Sequence, residues 1–128
     1  MPILKIYQGQ ALQAALAEIT SPVQVTYTAL DQPEPDTMAA LADLKALTPY
    51  LSVRVGQDSS MEADRLVVRA EDGRELVFVG VPIGMELAAL VAAIIVAGRG
   101  QSGLAAETRR TLINLPTPVH LEVFTTPT

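Results

Sequence analysis

The sequence predicts an α/β domain with a mixed central sheet flanked by helices. Three observations carry this expectation. Strict apolar/polar alternation, clearest over residues 23–30, marks half-buried strands. Apolar residues three and four apart, over residues 10–19, 36–47 and 87–97, mark helices between and after those strands. An Asp72-Gly73 pair between two apolar runs marks a β-hairpin. At 128 residues the chain suits one domain, long enough to bury a core without staples.

The elements follow in order. Residues 10–19 place Leu12, Ala15, Leu16 and Ile19 on one helical face, and Ser21-Pro22 ends that helix. Val23, Val25, Tyr27 and Ala29 alternate with Gln24, Thr26 and Thr28, which gives a strand with one polar face. Two prolines and three acids make residues 31–36 a loop. Asp36 or Thr37 is expected to cap the next helix, with Met38, Leu41, Leu44 and Leu47 as its buried stripe and Thr48-Pro49 as its end. Residues 51–55 form a short strand, and 56–64 a polar connection. Residues 66–70 and 75–79 are two strands around Glu71-Asp72-Gly73-Arg74, where a primed turn calls for positive φ. A Gly/Pro turn and the most apolar helix come next, to Ala97. Residues 98–103 read as a flexible turn, 104–115 as a helix closed by Pro116 and Pro118, and 119–124 as a last strand.

Composition excludes several function classes. Hydrophobic residues make up 49% and charged residues 18%, a globular balance. Aromatics are only 4%, without Trp, so Leu, Val, Ile and Ala must build the core. The net charge is −5, and the nine Lys and Arg residues are scattered along the sequence, which argues against a nucleic-acid partner. Without cysteine the chain holds no disulfide, no thiolate nucleophile and no Cys-ligated metal. The start lacks a basic, then apolar, leader, so a cytoplasmic location is expected. The longest apolar run, residues 87–97, is too short to span a bilayer, and no membrane partner is expected.

Four features invite a functional reading. Gly98-Arg99-Gly100-Gln101-Ser102-Gly103 is a literal G-x-G-x-x-G, with Glu122 near the position of a ribose-binding acid. Nucleotide binding there is the less favoured alternative: the Ala-rich run before it suits a helix better than a strand, and too little chain comes after it for another βαβ unit. Asp31, Glu34 and Asp36 could meet a divalent cation, but a solvated loop with a helix cap explains them more simply. His120 has no Cys, Ser or carboxylate at motif spacing and reads as a sheet-surface residue. No serine lies in a nucleophile-elbow pattern, and Arg109-Arg110 reads as a solvated pair. No catalytic, cofactor-binding or metal residue is therefore assigned.

A β-α-β unit followed by a hairpin and a helix is the thioredoxin topology, usually with helices on both sheet faces. A more specific likeness lies in Phe78-Val79-Gly80-Val81-Pro82-Ile83-Gly84-Met85-Glu86-Leu87. With Phe78, Gly80, Pro82, Gly84 and Glu86 in place, it resembles an F-x-G-x-P-x-G-x-E-F/L signature. That signature belongs to the first thioredoxin-like unit of two relatives: the flavoprotein subunit of alkyl hydroperoxide reductase, and the tandem, glutaredoxin-like protein disulfide oxidoreductases. In both, a helix pair leads to a second unit, whose first strand is followed directly by C-P-x-C. The stretch Leu121-Glu122-Val123-Phe124-Thr125-Thr126-Pro127-Thr128 is similar to that strand.

The resemblance implies a redox-inactive half-domain. A first-unit C-x-x-C would fall near residues 31–37 and a cis-proline near 62–65, and neither is present. It also implies residues 1–118 as the thioredoxin-like unit and 119–128 as the first strand of a following unit or a sheet-pairing tail, the chain being a fragment. The second unit, or a homodimer partner, would pair with Val119, Leu121, Val123 and Phe124. FAD and NAD(P)H would sit only in a parent protein that passes electrons to a peroxiredoxin or protein disulfide. The alternative is a freestanding binding or dimerisation module without catalysis.

Overall fold

The structure, a computed structural model, describes residues 10–80, 87–100 and 103–124. Its elements run α1 (Gln10–Leu16), β1 (Val23–Ala29), α2 (Pro35–Leu47), β2 (Leu51–Gln57), β3 (Arg65–Ala70), β4 (Glu75–Val79), α3 (Leu87–Arg99) and α4 (Ala106–Ile113). The four strands form one sheet in the order β2-β1-β3-β4. β1 pairs with β2 in parallel and with β3 antiparallel, and β3 pairs antiparallel with β4. The sheet is thus mixed, and helices flank it, as the element pattern predicts.

Register decides which side is buried. Val23 and Val25 face Leu51 and Val53 on one side and Ala70 and Val68 on the other; Leu66 and Val68 then face Phe78 and Leu76. Residues facing one another across a ladder share a face. Val23, Val25, Tyr27, Ala29, Leu51, Leu66 and Val68 therefore lie on one face, and they form a single buried cluster with Leu12, Leu16 and Ile19, with Ala40, Leu41 and Leu44 of α2, and with Leu87, Leu90, Val91 and Ile94 of α3. All three helices gather on that core face. The usual two-sided cover is not formed among the described residues. The reason lies in the opposite parity: Ser52, Arg54, Arg65, Arg69 and Glu75 are exposed there and cannot be buried cheaply.

Several elements differ from the sequence reading. α1 ends at Leu16, and the chain tightens over residues 17–19 through i→i+3 bonds from Glu18 and Ile19, which still bury Ile19. α2 starts one residue earlier than either proposed cap, with Glu34 as N-cap and Pro35 in the first turn. Its buried face is Thr37, Ala40, Leu41 and Leu44, while Met38 is 36% exposed. The stripe is rotated by one position, and two small side chains line its near side. The hairpin is a three-residue loop, with Gly73 N–H to Ala70 O at 3.0 Å and Ala70 N–H to Arg74 O at 2.8 Å. Only Gly73 has positive φ (92°), so Asp72 stays right-handed and the turn is of the bulged rather than the primed kind. Asp72 instead accepts the Arg74 N–H at 3.1 Å and the Arg74 guanidinium at 2.7 Å.

Gly98 belongs to α3 and is buried, not part of a flexible turn. A Cβ there would stand 2.5 Å from Ile19 Cγ2 and 3.0 Å from Val23 Cγ2. The glycine lets α3 close onto the end of α1 and the start of β1, and its carbonyl accepts the N–H groups of Thr20 (3.1 Å) and Ser21 (3.0 Å). α3 stops at Gly100, whose φ of 73° and N–H to Val96 O bond of 3.1 Å form a left-handed C-terminal cap. α4 is shorter than the 104–115 predicted and has no side-chain N-cap. Residues 119–124 join no ladder in this chain, which departs from the strand expected there: their alternation suits a strand, but a strand also needs a neighbour.

Candidate functional site

In open α/β sheets, chemistry gathers beyond the carboxyl ends of the parallel strands. Here that place lies past β1, at the start of α2 and just before β3. The sequence resemblance puts the missing cysteines and cis-proline at this same spot.

A hydrogen-bonded tie occupies it. Tyr27 faces the core from β1 with a fully buried ring. Its hydroxyl donates to Asp64 Oδ2 at 2.7 Å and accepts the Glu34 N–H at 3.0 Å. The other Asp64 oxygen, Oδ1, accepts the Leu30 N–H at 2.8 Å, and the Asp64 carbonyl accepts the Gly80 N–H at 2.6 Å. One aspartate thus joins the end of β1, the cap of α2, the approach to β3 and the exit of β4. A further bond, Asp58 N–H to Ala29 O at 2.9 Å, ties in the exit of β2.

Electrostatics keep the phenol neutral. Burial raises the Tyr27 hydroxyl above its ordinary value, and the Asp64 carboxylate adds to this by bonding the neutral form and repelling the anion, as does the charge of Glu34; the Glu34 N–H works in the opposite sense. The tyrosine is therefore a fixed donor, neither a base nor a nucleophile. With no cysteine in the chain, this end of the sheet holds no group for thiol–disulfide exchange. Nearby, Thr37 Oγ1 is buried without a hydrogen-bond partner among the described residues.

The other sequence candidates fall in separate places. Phe78 is half-buried against the core cluster, and Gly80 has φ 92°, a conformation glycine adopts at little cost. Pro82, Gly84 and Glu86 lie outside the described residues. Val119, Leu121, Val123 and Phe124 are 61–88% exposed. Glu34 of the acidic loop serves as a cap, and the described residues contain no group of three or more potential metal ligands. His120 Nε2 stands 3.0 Å from Glu122 Oε1, both exposed. The strand-turn-helix needed by a dinucleotide fingerprint is not formed: the residues before Gly98 are helical, and Gly98 itself is a packing contact. No described helix is long and apolar enough to cross a membrane. An open groove of about 160 Å³ between α3 and β4 is lined by Val68, Leu76, Ala93 and Val96, with Arg74 and Glu75 at its rim. It brings no nucleophile together with a base.

Sequence reasoning missed Asp64, which read only as part of a polar connection. Nothing local marks it, since its partners lie 34 and 37 residues away.

Comparison with solved structures fits the topology. The alkyl hydroperoxide reductase flavoprotein AhpF from Enterococcus faecalis superposes with a TM-score of 0.70 at 20% identity, over 84% of this chain and 58% of that one. A protein disulfide oxidoreductase from Aeropyrum pernix superposes with a TM-score of 0.64 at 23% identity, over 81% of this chain and 52% of that one. The fold is thioredoxin-like. Both structures are of the two kinds that the Phe78-to-Glu86 signature resembles, and this thioredoxin-like chain spans a little over half the length of each. No family model matches the chain. No curated protein matches it.

Proposed function

We propose that the chain is a redox-inactive, thioredoxin-like scaffold half-domain of a disulfide-reductase system. In that system electrons pass from NAD(P)H and FAD in a parent protein, through the cysteine pair of a second thioredoxin-like unit, to a peroxiredoxin or a protein disulfide. This half holds the second unit in place and helps to dock partners. The observation that carries the reading is the Tyr27–Asp64–Glu34 tie. It fills the carboxyl end of β1 with a structural network in a chain that has no thiol. Residues 1–118 form the unit, and Val119, Leu121, Val123 and Phe124 supply the first strand of the second unit.

Two measurements test it. An insulin-reduction assay on this chain with dithiothreitol should match the buffer blank; turnover above the blank overturns the inert reading. The codons after Thr128 should encode a C-x-x-C; a stop codon there overturns the half-domain reading.

A second reading, a freestanding module that pairs through its tail, is favoured by the exposure of Leu121 (84%), Val123 (84%) and Phe124 (88%). Sedimentation of the 128-residue chain separates the two, since this module must dimerise or capture a client strand.

A further inference from the structure

The outer sheet face has a composition unlike the rest of the chain. By register, Ser52, Gln24, Arg69 and Glu75 form one row across the sheet, Arg54, Thr26, Val67 and Val77 the next, and Gly56, Thr28, Arg65 and Val79 the third. Three arginines and a single acid share this face, in a chain whose net charge is −5. Glu75 offsets one of them only weakly, 4.0 Å from Arg69 with both side chains about half exposed. Arg65 lies near Asp58, and neither Arg65 nor Arg54 forms an ion pair among the described residues. Between the arginines runs a flat, uncharged strip of Thr26, Val67 and Val77, continued by Val79 at 73% exposure.

We propose that the outer face of the sheet docks an acidic amphipathic helix of a partner protein. The sheet is four strands wide, and a helix about 10 Å across covers two of them. Its apolar stripe would lie over Val67 and Val77, and carboxylates on its flanks would reach Arg54 on one side and Arg65 and Arg69 on the other. Charge complementarity selects the acidic partner, because a basic one would meet three arginines at close range. The strip selects protein over nucleic acid: the face has no aromatic side chain for base stacking, and its centre is apolar where phosphates would need cations. The inference is independent of the redox reading and of the terminal strand, since it uses neither.

The test is an amide-resolved NMR titration of the 128-residue chain. The probe is a synthetic helical peptide with a leucine stripe flanked by glutamates, and the control is the same peptide with lysines. The expected result is shifts centred on Thr26, Val67, Arg69 and Val77. Affinity should fall at least tenfold in Arg54→Glu/Arg69→Glu and stay unchanged in Arg74→Glu, a hairpin-turn control. All three positions are exposed, and circular dichroism checks that each variant is folded. Binding should weaken as salt rises. Equal binding of the lysine peptide, shifts confined to other surfaces, no shifts at millimolar peptide, or tighter binding to duplex DNA or to anionic phospholipid vesicles each overturns the proposal. So does a free chain that self-associates through this face, which would make a second copy its occupant.

Discussion

α3 and α4 are neighbours in sequence and differ in everything that makes a helix durable. α3 runs thirteen residues and buries Leu87, Leu90, Val91, Ile94 and Gly98. α4 runs eight residues and buries none. Every residue described from 103 to 124 is exposed, whereas the buried residues all lie between 12 and 98. An eight-residue helix is below the length that holds by itself in water, so the fate of α4 depends on what it meets. Periodicity announced both helices; burial supports only the first.

Substitutions can break or sharpen this contrast, starting with the largest effect. Ile94→Ala should cost roughly 2–5 kcal/mol in urea unfolding, because the cavity opens in the centre of the cluster. A loss below about 1 kcal/mol would mean that α3 is not packed as described. Gly98→Ala should cost about 1–3 kcal/mol, since its methyl would press on Ile19 and Val23; an unchanged denaturation midpoint would argue against the close approach. Asp64→Ala removes the acceptor of the Leu30 N–H and of the Tyr27 hydroxyl and should cost about 1–3 kcal/mol. The phenol of Tyr27 adds a pH dependence of known sign. Its value in the folded chain lies above the ordinary 10.0, so its contribution is complete below pH 10.0 and is lost as pH rises from there through the raised value. Alkaline titration of stability should be shallower in Tyr27→Phe, and an identical slope would count against the tie. Thr37→Val should be neutral or stabilising by up to about 1 kcal/mol, as its buried hydroxyl has no described partner. Ile113→Ala, on the exposed segment, should change stability by no more than about 0.5 kcal/mol.

Much of the compact body was legible because its signals are local. The alternation from Val23 to Ala29 places β1, the Asp72-Gly73 pair places the hairpin, and the apolar run from Leu87 places α3. What escaped depends on partners distant in sequence. The rotation that buries Thr37 and exposes Met38 comes from where the sheet lies under α2, not from the apolar count. Gly98 reads as part of a loop until Ile19 and Val23 are seen against it. The alternating residues 119–124 show the opposite failure: the pattern is present and the neighbour that would make it a strand is not among the described residues. At the candidate site, the sequence revealed that thiols are absent but not that Asp64 holds the space.

The spacing of the Asp64 bonds has a kinetic consequence. Its partners at Leu30 and Tyr27 are reached only after α2, β2 and the connection to β3 have taken their places. Such a contact closes a long loop and is expected to form late. Removing it should then leave the refolding rate nearly untouched and appear on the unfolding limb of the chevron, so that Asp64 governs how long the folded chain survives rather than how quickly it forms.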